Sequence, residues 1–287
     1  MPPKGQRRRN ERRGGAKADQ ARGKGGRGPS TLPWLFGHHA VSAALANPDR
    51  QLERLLATPQ GIELLQADFG PKLPISPESV DRRDLEALLP PGAVHQGIAL
   101  LAQPLEQPDF EDLLDLAGDT DGEDDEEWEG SEDGAAPRPP LLIALDQATD
   151  PRNVGAVMRS AAAFGALGVI VPERHAADAT GVLAKAASGA LEKVALVRVT
   201  NLVRAMEQAK KAGFWCIGLD GRGTEDLPEA DLSGPVLLIL GAEGSGLRRL
   251  TAETCDRLLR IPMTDAVESL NLAAAASIVL YQASLKR

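Results

Sequence analysis

The residues best suited to chemistry in this chain fall in three short segments, each directly after an apolar run. The first, DQATDPRNVGAVMR (146–159), places Asn153 and Arg159 six residues apart near the start of a predicted helix. Six residues is not quite two helical turns, so both side chains can approach one cleft. The same two residues would also suit a helix cap and a solvated arginine, and the spacing alone does not choose between these interpretations.

The second segment, LGAEGSG (240–246), ends the most apolar run of the chain. Its glycines allow backbone amides to approach a ligand closely, although the G-x-G-x-x-G dinucleotide pattern is absent. Glu243 lies inside this turn, where a carboxylate has few structural uses. The third segment, 260–277, places Ser269 and Asn271 ahead of an alanine-rich helix, and the commonest use of such a serine is as the N-cap.

Beyond residue 140, apolar runs alternate with helical patterns. The predicted strands are 141–145, 168–171, 194–199, 214–219, 236–240 and 258–261, and the predicted helices are 153–164, 201–212, 247–255 and 270–285. This alternation predicts an α/β fold with a parallel sheet that is covered on both faces. Ligands of such sheets bind beyond the carboxyl ends of the strands, which is where all three segments lie.

The preceding block, residues 32–104, has its own pattern of short helices and strands. Helices are predicted at 40–46, 62–69 and from Asp81 to the Pro90-Pro91 pair, and strands at 52–57 and 97–102. We interpret this block as a small separate α/β domain, ahead of a larger domain that spans 141–287.

The net charge of −9 averages unlike segments. Residues 1–30 carry ten Lys and Arg against two acids, and we interpret the segment 1–31 as a disordered basic tail that gains affinity for phosphates without reading sequence. Residues 106–133 carry fifteen Asp and Glu and no basic residue, which indicates that 105–140 is an acidic linker, with a short helical piece at 110–116 near its start.

Several classes of protein are disfavoured by the composition. Two cysteines and four histidines give little support for a metal site or a disulfide framework. No window reaches the ~18 uncharged apolar residues of a membrane helix, and the basic N-terminus has no apolar segment behind it. The sequence therefore predicts a cytoplasmic protein without a metal or a membrane partner.

Taken together, the three segments resemble the SpoU (TrmH-type) ribose 2′-O-methyltransferases of the SPOUT superfamily. The motifs are NVGAVMR (153–159), LGAEGSG (240–246) and IPM followed by ESLNLAAAAS (261–277), and the resemblance extends over about 141–282. Residues 32–104, with FGHHAV and VHQGIA, are similar to the L30e-like RNA-binding domain that precedes the catalytic domain in ribosomal-RNA members. The tail and the linker lie outside the family pattern.

The resemblance implies a trefoil knot near the C-terminus, an exception to the rule of unknotted chains, whose loops bind S-adenosylmethionine. By motif position, the implied cofactor contacts are Gly241, Ile261 and Leu270, with Leu219 and Leu240 as further candidates for the adenine pocket. The implied catalytic set is Asn153, Arg159, Glu243, Ser269 and Asn271. The resemblance also implies a homodimer with the site near the subunit interface.

The implied reaction transfers a methyl group to a ribose 2′-hydroxyl in structured RNA and needs no metal, because the leaving group departs neutral. Its main demands are alignment and the removal of one proton. Arg159 is implied to activate the hydroxyl, but arginine normally stays protonated, so holding a phosphate and polarising the hydroxyl is the milder role. Glu243 and Asn153 would orient Arg159 or the ribose, and Ser269 and Asn271 would tie the loops together.

Two alternatives remain at this point. The domain at 32–104 favours a guanosine of 23S ribosomal RNA by analogy, but a transfer-RNA ribose methyltransferase would share the catalytic motifs. A non-catalytic RNA-binding or ribosome-assembly protein could keep the same scaffold. Loss of Arg159, Glu243 or Asn271 would favour this last interpretation, and none of them is lost.

Overall fold

A four-stranded sheet forms the first part of the fold. A computed structural model describes residues 32–118, 138–173 and 180–287, so the predicted basic tail and the acidic run of the predicted linker lie outside the described residues. The strands are β1 (Trp34–Phe36), β2 (Leu52–Ala57), β3 (Pro77–Ser79) and β4 (Ile98–Ala102). They lie in the order β1-β4-β2-β3, with β4 antiparallel to β1 and β2, and with β3 parallel to β2.

Three helices pack with this sheet, namely α1 (His38–Ala46), α2 (Pro59–Phe69) and α3 (Arg82–Leu88). The start of α2 is fixed by Thr58, whose side chain accepts a hydrogen bond from the Gly61 amide, and by Pro59 in the first turn. Asp81 and Asp84 form a capping box at the start of α3. The predicted elements of this region are present, whereas β1 and β3 were not predicted.

The larger sheet contains seven strands, all parallel to their neighbours. They are β5 (Leu141–Leu145), β6 (Gly168–Pro172), β7 (Ala195–Val199), β8 (Trp215–Leu219), β9 (Glu225–Asp226), β10 (Val236–Leu240) and β11 (Arg257–Arg260), in the order β7-β6-β5-β10-β8-β11-β9. The prediction of an α/β fold with a parallel sheet is confirmed.

Helices cover both faces of the larger sheet, and they are α4 (Phe110–Gly118), α5 (Pro151–Ala163), α6 (Gly181–Ala187), α7 (Leu202–Lys211), α8 (Arg249–Thr254) and α9 (Leu272–Leu285). Alternate residues of β5 enter opposite cores: Leu141, Ile143 and Leu145 join one cluster, and Leu142 and Ala144 join the other. Because both faces are covered, the central strands are continuous apolar runs with no polar side.

Helix α4 lies inside the segment predicted to be a linker. Phe110, Leu113 and Leu114 are buried and pack in the same cluster as α7 and the second face of the large sheet. The first part of this segment is therefore a packed helix, consistent with the short helical piece predicted there.

Helix α6 was not predicted, and it connects the two sheets. A Cβ atom on Gly181 would lie 2.0 Å from the Trp34 carbonyl oxygen of β1, and one on Gly155 of α5 would lie 2.5 Å from the Leu183 carbonyl oxygen. Helix α6 is thus packed on both sides, which explains why its sequence lacks the polar face of an ordinary amphipathic helix.

An ion pair between Arg50 and Glu192, 2.5 Å apart, joins the same regions, and its side chains are 4% and 6% exposed. Asn47 donates to the second oxygen of Glu192, and Arg50 also donates to the Gln103 carbonyl. Leu32–Arg287 accordingly forms one compact unit. None of the helices in the described ranges is long and apolar enough to cross a membrane.

Candidate active site

The glycine turn follows β10 at the carboxyl edge of the large sheet. Ala242 and Gly246 exchange two backbone hydrogen bonds, of 3.2 and 3.0 Å, which close the turn on itself. Gly244 and Gly246 have φ angles of +79° and +69°, a region that residues with a Cβ atom enter with difficulty. Sequence and backbone conformation therefore agree on a tight loop here.

Gly241 is required for a different reason. A Cβ atom at this position would lie 2.1 Å from the Gly246 carbonyl carbon, far inside van der Waals contact. The sequence suggested that glycine lets the backbone approach a ligand, and the structure shows that it also lets the turn approach its own start. The shape of the loop therefore requires a residue without a Cβ atom at position 241.

Glu243, at the tip of this turn, brings two of the other predicted residues together. Its Oε1 accepts hydrogen bonds from Asn153 Nδ2 at 2.8 Å, from Asn271 Nδ2 at 2.9 Å and from the Leu272 amide at 3.2 Å. Asn271 Nδ2 also donates to Asn153 Oδ1 at 3.1 Å. Asn153, Glu243 and Asn271, from three separate segments, thus form one hydrogen-bonded cluster.

Two helix starts hold this cluster. Helix α5 begins at Pro151 with Asp150 as its N-cap, so Asn153 lies in the first turn instead of at the cap. Helix α9 is capped by Asn271, whose Oδ1 accepts from the Ala273 and Ala274 amides. The interpretation of Ser269 as an N-cap is wrong, because Asn271 fills that position two residues later.

A pocket of about 460 Å³ opens beside the cluster, between the carboxyl ends of β8, β10 and β11. The predicted residues that line it are Leu219, Leu240, Gly241, Glu243, Ile261, Ser269 and Leu270. The second and third segments therefore meet at one cavity, as their position after parallel strands predicts. The first segment joins them through the hydrogen bond from Asn153 to Glu243.

Two predicted residues make no direct contribution to the cluster. Ser269 lines the pocket but makes no hydrogen bond to Asn153, Glu243 or Asn271. Arg159 is exposed on α5 and does not line the pocket, and its side chain has no hydrogen bond or ion pair with the part of the chain that the structure describes. The hydroxyl oxygen of the next residue, Ser160, lies 2.7 Å from that of Ser277 of α9. Arg159 is therefore next to the contact between α5 and α9.

The pocket contains charged residues that the sequence did not single out. Asp220 follows β8 and is 7% exposed, and Arg222 donates to both of its carboxylate oxygens. These hydrogen bonds hold the pKa of the Asp220 carboxyl below its ordinary value. Glu268 also lines the pocket. The available signal for Asp220 was its place directly after a strand of the parallel sheet.

Comparisons with known proteins agree with this geometry. The SpoU rRNA Methylase family matches residues 140–281, and a family described as RNA 2′-O ribose methyltransferase substrate binding matches residues 34–108. A 23S rRNA (guanosine-2′-O-)-methyltransferase RlmB of Photobacterium profundum is 40% identical over 264 residues, covering 88% of this chain and 97% of the relative. The RlmB of Pseudomonas syringae pv. tomato is 36% identical, and the match covers 90% of this chain and 97% of that relative.

Among solved structures, the SpoU methyltransferase AviRb from Streptomyces viridochromogenes, in complex with AdoMet, has a TM-score of 0.66 at 25% identity and covers 88% of this chain and 89% of that chain. An RNA 2′-O ribose methyltransferase structure has a TM-score of 0.68 at 23% identity and shares the fold. With curated relatives matched over nearly their whole length, this chain belongs to the SpoU rRNA methylase family.

Proposed function

We propose that this protein transfers a methyl group from S-adenosylmethionine to the ribose 2′-hydroxyl of a guanosine in 23S ribosomal RNA. The observation that carries the proposal is the Asn153, Glu243 and Asn271 cluster at the edge of a pocket lined by Gly241, Ile261 and Leu270. The RlmB relatives, similar over 88% of the chain, support the choice of RNA and nucleotide.

The pocket suits the cofactor in its chemistry. Leu219, Leu240 and Ile261 provide apolar surface against which an adenine ring can pack. Glu243 and Glu268 provide carboxylates in a pocket that must accept a cation, whereas Asp220 is paired with Arg222. When bound, S-adenosylmethionine supplies the methyl group. The backbone of the turn at Gly241 and the Leu270 segment would hold the cofactor, as their place in the pocket wall suggests.

The polar cluster would orient the ribose. Oε1 of Glu243 accepts three hydrogen bonds, while Oε2 accepts none from the residues in the described ranges. This second oxygen is free to accept a hydrogen bond from a ribose hydroxyl or from a guanidinium. Arg159 would hold a phosphate and polarise the 2′-hydroxyl, and Ser269 would contribute a hydroxyl at the pocket wall.

The division of labour between the two regions is also a proposal. Residues 32–104 would bind the RNA and residues 141–287 would carry out the reaction, as the two family matches suggest. A knotted arrangement of the pocket loops would explain why the chain after β11 returns to bond Glu243 through Asn271 and Leu272. With ribosomal RNA as its substrate, the enzyme would act in the cytoplasm.

The test is to map 2′-O-methylation in RNA from cells that lack this protein and in the same cells carrying it again. We expect one guanosine of 23S ribosomal RNA to lose its methyl group and to regain it. Loss at a transfer-RNA position would contradict the choice of RNA. An unchanged methylation map would contradict the enzymatic function itself, and would favour a binding or assembly role.

A homodimer completes the proposal, with a second copy covering α9. Ile278, Tyr281 and Leu285 are 40%, 52% and 62% exposed, and their spacing of three and four residues places them on one side of the helix. Tyr281 extends this side to Phe164, the residue after the end of α5, with ring centroids 5.7 Å apart. Arg159 lies on the same α5 and outside the pocket of its own chain, and we propose that it acts at the pocket of the partner.

We expect Tyr281→Asp combined with Ile278→Asp to yield a monomer, because two carboxylates would be buried without partners. Light scattering after gel filtration measures the mass directly. Leu250→Asp is the matched control, since Leu250 is 58% exposed on α8, and it should leave a dimer. A wild-type protein that is monomeric at micromolar concentration would contradict the proposal.

A second expectation concerns the basic tail. Deleting residues 1–30 removes ten basic side chains, so fewer counterions are released on binding and the salt dependence of RNA affinity should become shallower, by about 0.7–0.9 in the logarithmic slope for each phosphate that the tail no longer neutralises. Binding titrations at several salt concentrations measure this slope. The methylated nucleotide should not move, and a changed target would show that the tail reads RNA structure.

A further inference from the structure

Strands β5 and β10 are neighbours in the large sheet, but the chain leaves their carboxyl ends towards opposite faces. After β5 it forms α5, which packs on one face, and after β10 it reaches α8, which packs on the other. Open α/β sheets bind ligands where the loops after two neighbouring strands separate in this way. The pocket described above lies on the other side of β10, towards β8 and β11.

Asp146 is a buried carboxylate between these two loops. It directly follows β5, and its side chain has no exposed surface. Its amide donates to the Leu240 carbonyl at 2.7 Å, and its Oδ2 accepts from the Arg248 amide at 3.1 Å. Its Oδ1 lies 2.6 Å from Nη2 of Arg248. Asp146 therefore holds both ends of the loop whose middle carries Glu243.

The guanidinium of Arg248 is fixed on one side and open on the other. Its side chain is 46% exposed, although Nη2 is paired with Asp146. Its other nitrogens have no hydrogen bond or ion pair within the described ranges. A guanidinium has five N–H donors in one plane, so several of them remain for a ligand. Because the side chain is already held in place, less conformational entropy is lost when an anion binds it.

A purely structural ion pair in this protein has a different form. In the pair of Arg50 with Glu192 both side chains are buried, whereas at Asp146 only the carboxylate is buried and the cation extends to the surface. Burying a carboxylate is unfavourable, and Oδ1 of Asp146 makes no hydrogen bond within the described residues, so it depends on the arginine. This burial is explained if the carboxylate orients Arg248 towards a ligand outside.

We propose that Arg248 binds a backbone phosphate of the RNA substrate and that Asp146 is the positioning residue that fixes it. The inference rests on the proposed function for the identity of the RNA. A guanidinium matches phosphate oxygens with two parallel N–H donors. The carboxylate of S-adenosylmethionine is the other anion of the proposed reaction, but Arg248 does not line the cofactor pocket.

The bound phosphate is tied to the methyl-transfer site through the same loop. Residues 240–248 carry both Glu243, which bonds Asn153 and Asn271, and Arg248 at the end that Asp146 holds. The loop is closed on itself by the hydrogen bonds between Ala242 and Gly246. A phosphate on Arg248 therefore sets the position of the RNA backbone relative to the cluster that is proposed to orient the ribose.

A double variant separates phosphate binding from a structural role. Arg248→Gln alone leaves Asp146 charged and buried, so it should lower the melting temperature. Asp146→Asn combined with Arg248→Gln removes both charges, keeps an acceptor for the amide of residue 248, and should regain most of the melting temperature. We expect this double variant to keep Kd and KM for a 23S RNA fragment about tenfold above wild type, the scale of one charged hydrogen bond. Its affinity for S-adenosylmethionine should stay within about twofold of wild type.

Arg249→Gln is the matched control, because Arg249 is the next residue, is 76% exposed and is paired with Glu253 at 2.8 Å. It should leave Kd for the RNA within about twofold of wild type. The control lowers the net charge and the double variant does not, so the overall field of the protein cannot explain the expected difference. Arg248→Lys keeps Asp146 paired but loses the planar fork, and it should fold as wild type with an intermediate KM.

RNA fragments in which single phosphates are replaced by neutral methylphosphonates identify the phosphate. One replacement should raise Kd for wild type and for Arg249→Gln, and add nothing further in the double variant, as expected when two changes delete one contact.

The inference is overturned if the double variant regains RNA affinity together with its melting temperature, or if every methylphosphonate weakens it as much as wild type. Loss of affinity for S-adenosylmethionine in the folded double variant would also overturn it, by placing Arg248 at the cofactor. The failure of the proposed function has a different signature, namely wild-type protein that methylates no RNA, because the Kd measurements do not require methyl transfer.

Discussion

Arg159→Ala lowers the single-turnover rate of methylation by about 10²-fold or more, the scale of a positioned group that assists proton transfer. The side chain is exposed and has no partner in the described part of the chain, so its removal should leave the melting temperature near the wild-type value. Cofactor affinity should also be unchanged, because Arg159 does not line the pocket. Rapid-quench assays at saturating cofactor and RNA measure the rate.

Arg152→Ala is the matched control, since Arg152 is another exposed arginine of α5 that does not line the pocket. Arg159→Lys separates two roles, because lysine keeps the charge and loses the planar fork of donors. Recovery with lysine indicates a phosphate contact, and continued loss indicates a need for guanidinium geometry. If Arg159→Ala turns over at the wild-type rate, the arginine is only a solvated surface residue.

The homodimer adds a further measurement for the same residue. If Arg159 acts in the pocket of its partner, mixing inactive Arg159→Ala chains with inactive Glu243→Gln chains should restore part of the activity. Mixed dimers would then contain one site with both residues intact. If the arginine acts within its own chain, each of the two sites in a mixed dimer has one defect, and the mixture stays inactive.

Gly241→Val is expected to abolish measurable binding of S-adenosylmethionine. The added side chain would collide with the Gly246 carbonyl, so the turn must open and the pocket wall formed by residues 241–246 must move. Titration calorimetry measures the affinity, and a melting curve shows whether the chain remains folded.

Gly234→Val provides the control at the opposite end of β10. A Cβ atom there meets no heavy atom within 4 Å, so the same chemical change should leave the affinity at the wild-type value. Unchanged cofactor affinity in folded Gly241→Val would remove this turn from the cofactor site.

Where the hydrophobic pattern was strong, the sequence alone predicted the helices and strands of the fold. Continuous apolar runs such as Val236–Leu240 predicted buried parallel strands, because only strands covered on both faces lack a polar side. The elements that escaped prediction are short or packed on two sides. Strand β9 has two residues, Glu225–Asp226, and β3, Pro77–Ser79, has no alternation of apolar and polar residues. Both depend on a neighbouring strand instead of on their own pattern.

The candidate site was partly predictable for a related reason. Glu243, Asn271 and Asn153 lie next to strand ends or helix starts, so local sequence brings them to one edge of the sheet. The hydrogen bonds between them join residues that are 90 and 118 positions apart in the sequence. A pattern within one segment cannot predict contacts at such separations. Asp220 was not predicted because its environment, a pocket wall in which Arg222 binds its carboxylate, exists only after β8 and β10 pair.

His95 shows a limit of a different kind. The VHQGIA segment was recognised as part of a resemblance, but a histidine in sequence carries no information about burial or about which ring nitrogen is bonded. The hydrogen bond from the Gly97 amide fixes its tautomer, and Nε2 is buried without a partner among the described residues. Both facts are tertiary.

The packing of α6 has a consequence for how such an enzyme can change its target during evolution. The core clusters around the small sheet include Val182, Ala184 and Leu191, which belong to the other half of the sequence, and Arg50 is neutralised by Glu192. If the substrate-binding half were replaced by that of a relative, its surface would not match residues 181–192 unless these were exchanged as well. Recombination that exchanges only the N-terminal half should therefore be selected against. New RNA targets are expected to arise instead by point substitutions at exposed positions of that half.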